Sequence, residues 1–480
     1  MSLRAYFKVA FYFVLLLGMG SCKVFQPLPN PSLITSPATF AGKTDTASIG
    51  HLSRREFFTD PHLLSLIDTA LHNNFDLQMA TQRIEVARTQ LWLGRGAFLP
   101  SVNAVASAGV DKFGDYTMNG VGNYDTNFSE KINEDRRIPT PTPDFFLGLR
   151  SSWEIDVWGK LRNAKKAAYA RFLASQKGRQ LITTALVAEV SNLYYQLLAL
   201  DSELETVVKN IGLQQTAVEM IGIQKEGGRA NELAVKQFQA QLLNTRSLEA
   251  QIRQQIVETE NLLNLLLGRY PQPILRGRSI REQEVPEEIR AGIPSDMLRR
   301  RPDIQQAELE LVAAKADVQA ARAAFLPSLT INSYVGYNAF KSALLFNPGS
   351  LAYGALAGLS APLFNQNQLK ASHRRALAEN QAAYFAYQKS VINGYREVLS
   401  NLRGIENYRT VSTLKAQELE TLNQAVGTSK DLFVAGYASY LEVITAQRTV
   451  LEAELGLAQA KRQQFQYLIE LYRALGGGWE

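Results

Sequence analysis

The chain has 480 residues, is 46% hydrophobic and 20% charged, and carries a net charge of +6. That length accommodates two or three ordinary domains or one large repeated one. A charge this mild, with no basic stripe interleaved with aromatics, excludes a nucleic-acid partner.

The single cysteine, Cys22, closes the first recognisable segment, MSLRAYFKVAFYFVLLLGMGSC. Arg4 and Lys8 form a positive start, Ala10 to Leu17 an apolar stretch, and Gly18, Gly20 and Ser21 a small-residue cluster before the cysteine. Residues 1–21 therefore form an export signal. The cluster ending at a lone cysteine is similar to a lipobox, after which Cys22 becomes an acylated N-terminus. Met19 stands where Leu is more usual. Residues 22–60 read as a tether rich in Pro, Ser and Thr.

Asp60-Pro61 opens a helix, with Asp60 as cap and Pro61 at the first position. Its apolar periodicity continues through Leu77, Ile84 and Leu91 to Pro100. From Ser101 the period becomes two, with Val102, Ala104, Ala106, Ala108 and Val110 against Asn103, Ser107 and Asp111. After a polar loop the alternation resumes, with Phe145, Leu147, Leu149, Trp153, Ile155 and Val157 against Arg150, Ser152, Glu154 and Asp156. These are two strands, each with one apolar and one polar face. Past Trp158-Gly159 one helix runs to Glu226, roughly 100 Å at 1.5 Å per residue. Gly227-Gly228 breaks it, and a second helix with a coiled-coil-like seam runs from Asn231 to Leu267.

Residues 269–301 read as an irregular connection, after which the plan recurs. Pro302 starts a helix that ends at Pro327. Leu329, Ile331, Val335 and Tyr337 mark one face of a third strand. Leu351, Tyr353, Ala355, Ala357, Leu359 and Leu363 mark a fourth, alternating with Gly354, Gly358 and Ser360. A long helix from about Gln368 to Phe433, a break at Ala435-Gly436 and a helix from Ser439 to Leu475 follow. Residues 476–480 form a tail. The pentapeptide Ala97 to Ser101 recurs as Ala324 to Ser328. Around it, residues 73–101 align without gaps on 300–328, pairing Asp76 with Asp303 and Arg95 with Arg322. The halves are therefore 61–268 and 302–475, each helix, strand, strand, long helix, helix. Pro100 and Pro327 are helix-to-strand joints, because proline lacks an N–H and clashes within a helix.

No apolar run reaches the ~18 residues of a membrane helix, so a membrane crossing falls to the strands, in a closed barrel. Four strands are too few for a membrane barrel, which needs about eight or more. The chain is thus expected to oligomerise and pool its strands.

Taken in order, Cys22, Asn73 to Leu77, Leu298 to Ile304 (LRRRPDI), both AFLPS segments, Phe433 to Gln447 and Leu475 to Trp479 resemble the TolC-like outer-membrane efflux family, in its OprM/NodT-like lipoprotein branch. The resemblance spans essentially the whole mature chain. It implies a mainly α fold with a membrane β-barrel portion: a homotrimer whose twelve strands form an outer-membrane barrel on a long periplasmic α-helical barrel. It further implies a passive exit duct, not an enzyme, that meets a periplasmic adaptor and an inner-membrane RND-type pump. The lipid on Cys22 is the only attached group expected; no cofactor or metal is.

The resemblance places Gly227, Gly228, Arg229, Gly436 and Tyr437 at the periplasmic tips, where the adaptor docks. The two usual positions of an acidic gate ring fall on Glu442 and Thr445, of which only Glu442 keeps the charge. Three Glu442 carboxylates around a pore would raise one another's pKa and attract cations; an exposed helix glutamate is the other reading. Phe433 is open between an apolar constriction and a core contact. Ala234 and Ala438 stand where polar links between protomers would be needed. Arg300, Arg301 and Asp303 are expected to cap and pack. Trp153, Trp158, Tyr334, Tyr337 and Tyr353 divide between an interfacial belt and packing between strands. The four histidines (51, 62, 72, 373) lack metal-ligand spacing, and Gly120-Val121-Gly122 lies outside any phosphate-cradle context. Two rival readings are a lipid-anchored periplasmic coiled-coil scaffold without a pore and a protein-secretion duct of the same fold.

Overall fold

A computed structural model describes residues 37, 39–40, 47–286 and 289–480. The signal and Cys22 lie outside the described residues.

Asp60 caps α1 (Pro61–Asn73) by accepting from the His62 and Leu63 amides. The sequence predicts one helix from here to Pro100, but the chain breaks at Asn74. Asn74 is extended at ψ 128°. Its side chain caps α2 (Phe75–Gly96) at the Leu77 amide, 3.0 Å away, and donates to the Leu266 carbonyl at 3.0 Å. A buried asparagine that satisfies two backbone groups outweighs the apolar periodicity running through it. β1 (Ser101–Asp111) follows. The loop after it contains a helix that its polar composition did not predict, α3 (Met118–Asn127). Thr117 caps it by accepting from the Gly120 amide.

β2 (Thr142–Ile155) leads into α4 (Lys160–Glu226), which spans 67 residues, and α5 (Glu232–Leu266), which spans 35. The connection 269–301, irregular by sequence, ends in a short helix, α6 (Pro294–Arg300). Arg301 is the break before α7 (Pro302–Ala323), as Asn74 is before α2. Both α2 and α7 have 22 residues. β3 (Ser328–Ala339), β4 (Leu351–Ser360), α8 (Gln368–Val434, 67 residues) and α9 (Tyr440–Ala474, 35 residues) complete the chain. Val157 and Leu363, expected on strands, lie just past the ends of β2 and β4.

The strands form one antiparallel sheet in the order β1-β2-β3-β4. Its register sorts the faces. Ala104, Leu149 and Val335 lie side by side with Tyr353, and Ala106, Leu147 and Tyr337 with Leu351. The opposite face carries Asn103, Arg150 and Tyr334 in one row and Ser101, Ser152 and Asn332 in another. The edge strands β1 and β4 are largely exposed, while much of β2 and β3 between them is half-buried. On the polar face Gly148 pairs with Gly336 so closely that a Cβ on Gly148 would meet the Gly336 Cα at 2.5 Å. Phe146 lies against Gly148 and the Tyr334 ring against Gly354, the two rings 6.1 Å apart and edge to face; Tyr334 thus packs on the sheet.

The helices form a single row. Next to the sheet the order is α2-α4-α7-α8; farther away it is α5-α4-α9-α8. One edge of the protomer is therefore α5, α2 and β1, and the other is α8 and β4. The main core sits midway, where α1, α4 and α9 converge on residues of the 269–301 connection. There the Tyr194 hydroxyl donates to Asp60 (2.7 Å) and accepts from the Gly277 amide (2.8 Å), and Tyr195 stacks on Phe465. Among the described residues no helix is long and apolar enough to cross a membrane.

Candidate functional site

Both hairpins end in the same turn. At the α4–α5 tip Gly228 has φ +73°, and the amides of Gly228 and Arg229 donate back to Lys225 and Gln224. At the α8–α9 tip Gly436 has φ +80°, and the amides of Gly436 and Tyr437 donate back to Phe433 and Leu432. A left-handed residue after the last helical turn satisfies carbonyls that the helix leaves free, and glycine adopts it without strain. Gly227, at φ −78°, has no such requirement. Gly227, Gly228, Arg229, Gly436 and Tyr437 are all exposed.

Glu442 is exposed at the third position of α9, one turn from the tip. Its carboxylate accepts from the Ser439 hydroxyl, while the Leu441 amide donates to that hydroxyl oxygen at 3.3 Å. The Ser439 hydroxyl first, and then backbone donors, hold the Glu442 pKa below its ordinary value. Within one protomer the shift is opposite to that expected of a carboxylate ring, which needs neighbouring copies. The sequence signal was available: Ser439-Tyr440-Leu441-Glu442 has the spacing of a capping box. Thr445, one turn on, is exposed, and its carbonyl accepts from the Thr449 hydroxyl.

Phe433 is half-buried and packs on the cluster of Ile221, Ala234 and Phe238 that joins the two tips. This contact favours the packing alternative in the single chain. It also borders a cavity of about 290 Å³ between the ends of α4, α5, α8 and α9. Ala234 belongs to the same apolar cluster, which accounts for its lack of a polar side chain.

At the other end of the long helices are the joints. α2 and α7 stop at Gly96 and Ala323, and a tight turn precedes each proline. The prolines thus come after the helix ends and set the first strand residue. Two tryptophans hold these turns. The Trp153 indole donates to the Phe98 carbonyl (2.9 Å) and the Trp158 indole to the Pro327 carbonyl (2.7 Å). Sequence alone places both indoles between belt and packing, and these bonds favour packing.

Arg301 is the most thoroughly buried charge near the midpoint, 3% exposed. It grips Asp303 through two bonds (3.0 and 2.7 Å), Glu397 at 2.8 Å and the Ala474 carbonyl at 3.0 Å. Gly394 on α8 leaves room for it, since a Cβ there would stand 3.3 Å from the guanidinium arm. All these partners belong to the chain itself, so the Arg301–Asp303 pair fastens α7 to α8 and α9.

A two-faced sheet with open edges, continued by helices roughly 100 Å long, is the protomer geometry of a duct. The family model for outer membrane efflux proteins matches residues 66–269 and 293–477. The chain belongs to the outer membrane efflux protein family. This family member is 30% identical over 469 residues to the pyoverdine export outer membrane protein OpmQ of Pseudomonas aeruginosa, covering 96% of this chain and 95% of that one. It is 27% identical over 471 residues to the toluene efflux pump outer membrane protein TtgI of Pseudomonas putida, covering 97% of each. Among solved structures it matches a membrane protein from Pseudomonas aeruginosa with a TM-score of 0.83 at 26% identity, covering 95% of this chain and 98% of that one. The protein is an outer-membrane exit duct of an efflux system and not an enzyme. That function rules out the pore-free scaffold.

Proposed function

We propose that three copies close edge to edge into the duct. The edge made of α5, α2 and β1 meets the α8 and β4 edge of the next copy. Twelve strands then form the barrel, with the Leu147/Val335/Tyr353 face toward lipid and the Asn103/Ser152/Asn332 face toward the lumen. The helices form the periplasmic tunnel beneath it. The observation that carries this reading is the sheet. Its β1 and β4 edges leave backbone groups without strand partners, and within a membrane such groups have no water to satisfy them. Exposed apolar side chains along both edges agree with it: Val86, Leu93 and Leu243 on one, Phe385, Ile392 and Leu414 on the other. Different patches meeting head to tail give a closed ring.

In this assembly the tips at Gly227, Gly228, Arg229, Gly436 and Tyr437 receive a periplasmic adaptor, and an RND-type inner-membrane pump supplies the energy. Acylated Cys22 anchors each copy. Glu442, Thr445 and Phe433 surround the tunnel entrance, with Glu442 providing the charge. The mass of the purified protein in detergent, with its conductance in planar bilayers, tests the proposal. A trimeric mass with ohmic, cation-preferring channels is expected. A monomeric mass without conductance would overturn it.

A further inference from the structure

The joints between helices and strands carry a repeated set of cations. Arg95 is the last residue but one of α2, and Arg322 the last but one of α7. Arg162 and Lys166 stand third and seventh in α4, and Lys370 and Arg374 third and seventh in α8. Each half thus places three cations where its helices meet its strands. All six are exposed.

Their side of the helix row follows from the geometry of α4. Lys160, its first residue, pairs with Glu154, which shares a strand face with Ser152, the face assigned to the lumen. At about 100° per residue, Arg162 points roughly 200° away from Lys160, and Lys166 follows one turn later on the same side as Arg162. This pair therefore faces outward, and its counterparts Lys370 and Arg374 do so by the repeat. Arg95 lies beside the pair: a Cβ on its neighbour Gly94 would stand 3.4 Å from the Lys165 Cα.

The two sides differ in how their charges are matched. On the lumen side Lys160 has Glu154, and Arg171, three turns further along α4, has Asp317. On the outer side Asp156 holds Arg162 at 3.1 Å. Arg95, Lys166, Lys370 and Arg374 have no ion-pair partner among the described residues. Their depth is set by the strands, which have 10 to 14 residues. A tilted membrane strand needs about 9–11, so these helix ends lie at the level of the lipid headgroups. Leu99, Leu326 and Phe364, all exposed beside the cations, suit the acyl boundary just above.

We propose that these cations form a collar that binds the phosphate groups of anionic phospholipids in the periplasmic leaflet and so fixes the depth of the duct in the membrane. The collar rests on the trimer and the face assignment proposed above. Lysine and arginine stems reach along apolar surface while their charged ends stay with the headgroups. Each such cation strengthens the hold on an anionic surface roughly five-fold.

Full-length protein in phosphatidylcholine vesicles, with traces of spin-labelled phosphatidylglycerol or phosphatidylcholine, tests the collar. The motionally restricted fraction is expected to favour phosphatidylglycerol roughly three-fold at low salt and to lose that preference in 1 M salt. Lys166→Gln with Lys370→Gln and Arg374→Gln should bring the preference close to parity, whereas Lys160→Gln with Arg171→Gln on the lumen side should leave it unchanged. Equal restriction of both lipids by trimeric wild-type protein would overturn the collar and leave the trimer standing. So would a preference that survives the outer variant, or one that the inner variant abolishes equally. A monomeric mass for the wild-type protein would overturn trimer and collar together.

Discussion

Replacing Arg301 with methionine should weaken the junction of α7 with α8 and α9. The side chain is almost wholly buried and supplies every bond described for it: two to Asp303, one to Glu397 and one to the Ala474 carbonyl. Its removal strands two largely enclosed carboxylates and one carbonyl, and leaving such a charge unpaired costs about 3–5 kcal/mol. Glu397 retains Asn393 at 3.0 Å and Arg473 at 3.8 Å, so the lower end of that range is expected. A large membrane assembly unfolds irreversibly, so the readout is a rate. If the junction is intact in the native protein and broken at the transition state, unfolding in guanidinium should accelerate roughly 10²-fold. The matched triple variant, Arg301→Met with Asp303→Asn and Glu397→Gln, removes the stranded charges and should recover most of the loss. An acceleration below about three-fold, or no recovery in the triple variant, would refute the assignment of Arg301 as an ionic fastener.

Other expectations are equally direct. His373 is buried beside Phe325, and burial first, then Arg322, lowers its pKa below the ordinary 6.5. The unfolded chain therefore takes the proton first. The stability from this site is full above pH 6.5 and falls as pH drops from there toward the lowered value. His373→Gln should flatten that slope in unfolding measured from pH 7.5 down to 5. Gly228→Ala and Gly436→Ala should each destabilise their tip by roughly 1 kcal/mol, read as faster amide exchange there, whereas Gly227→Ala should change little. Glu442→Gln should reduce cation preference in reversal-potential measurements; an unchanged preference removes it from the entrance. Labelled palmitate should enter the wild-type chain and be absent from Cys22→Ala.

The long elements were legible because their boundaries are written in proline and glycine. The ends of α4 and α8 fall beside Gly227-Gly228 and Ala435-Gly436, and both strands after a joint begin at the serine following proline. The alternation of period two marks the apolar face of every strand before any pairing is known. What escaped has a common cause: single side chains reaching distant backbone. Asn74 breaks a helix because it can bond Leu266, 192 residues away. Trp153 and Trp158 hold joints through carbonyls that no spacing reveals. In α3 the apolar 3-3-4 spacing was present but obscured by glycines and asparagines, which lower helix propensity. Glu442 looked functional by position, while the Ser439 contact gives it a structural task as well.

The paired lengths of the helices, 67 with 67 and 35 with 35, carry a further consequence. The reach of this protein is a measured quantity that two hairpins must agree upon. Adding one heptad to both arms of a hairpin would push its tip about 10 Å beyond its neighbour and leave the shared Ile221–Phe433 contact region without a counterpart. Reach can therefore change only in matched steps: four insertions of equal rise, two per half. In a chain built this way the length of the helical column is graduated in heptads, and both hairpins carry the same measure.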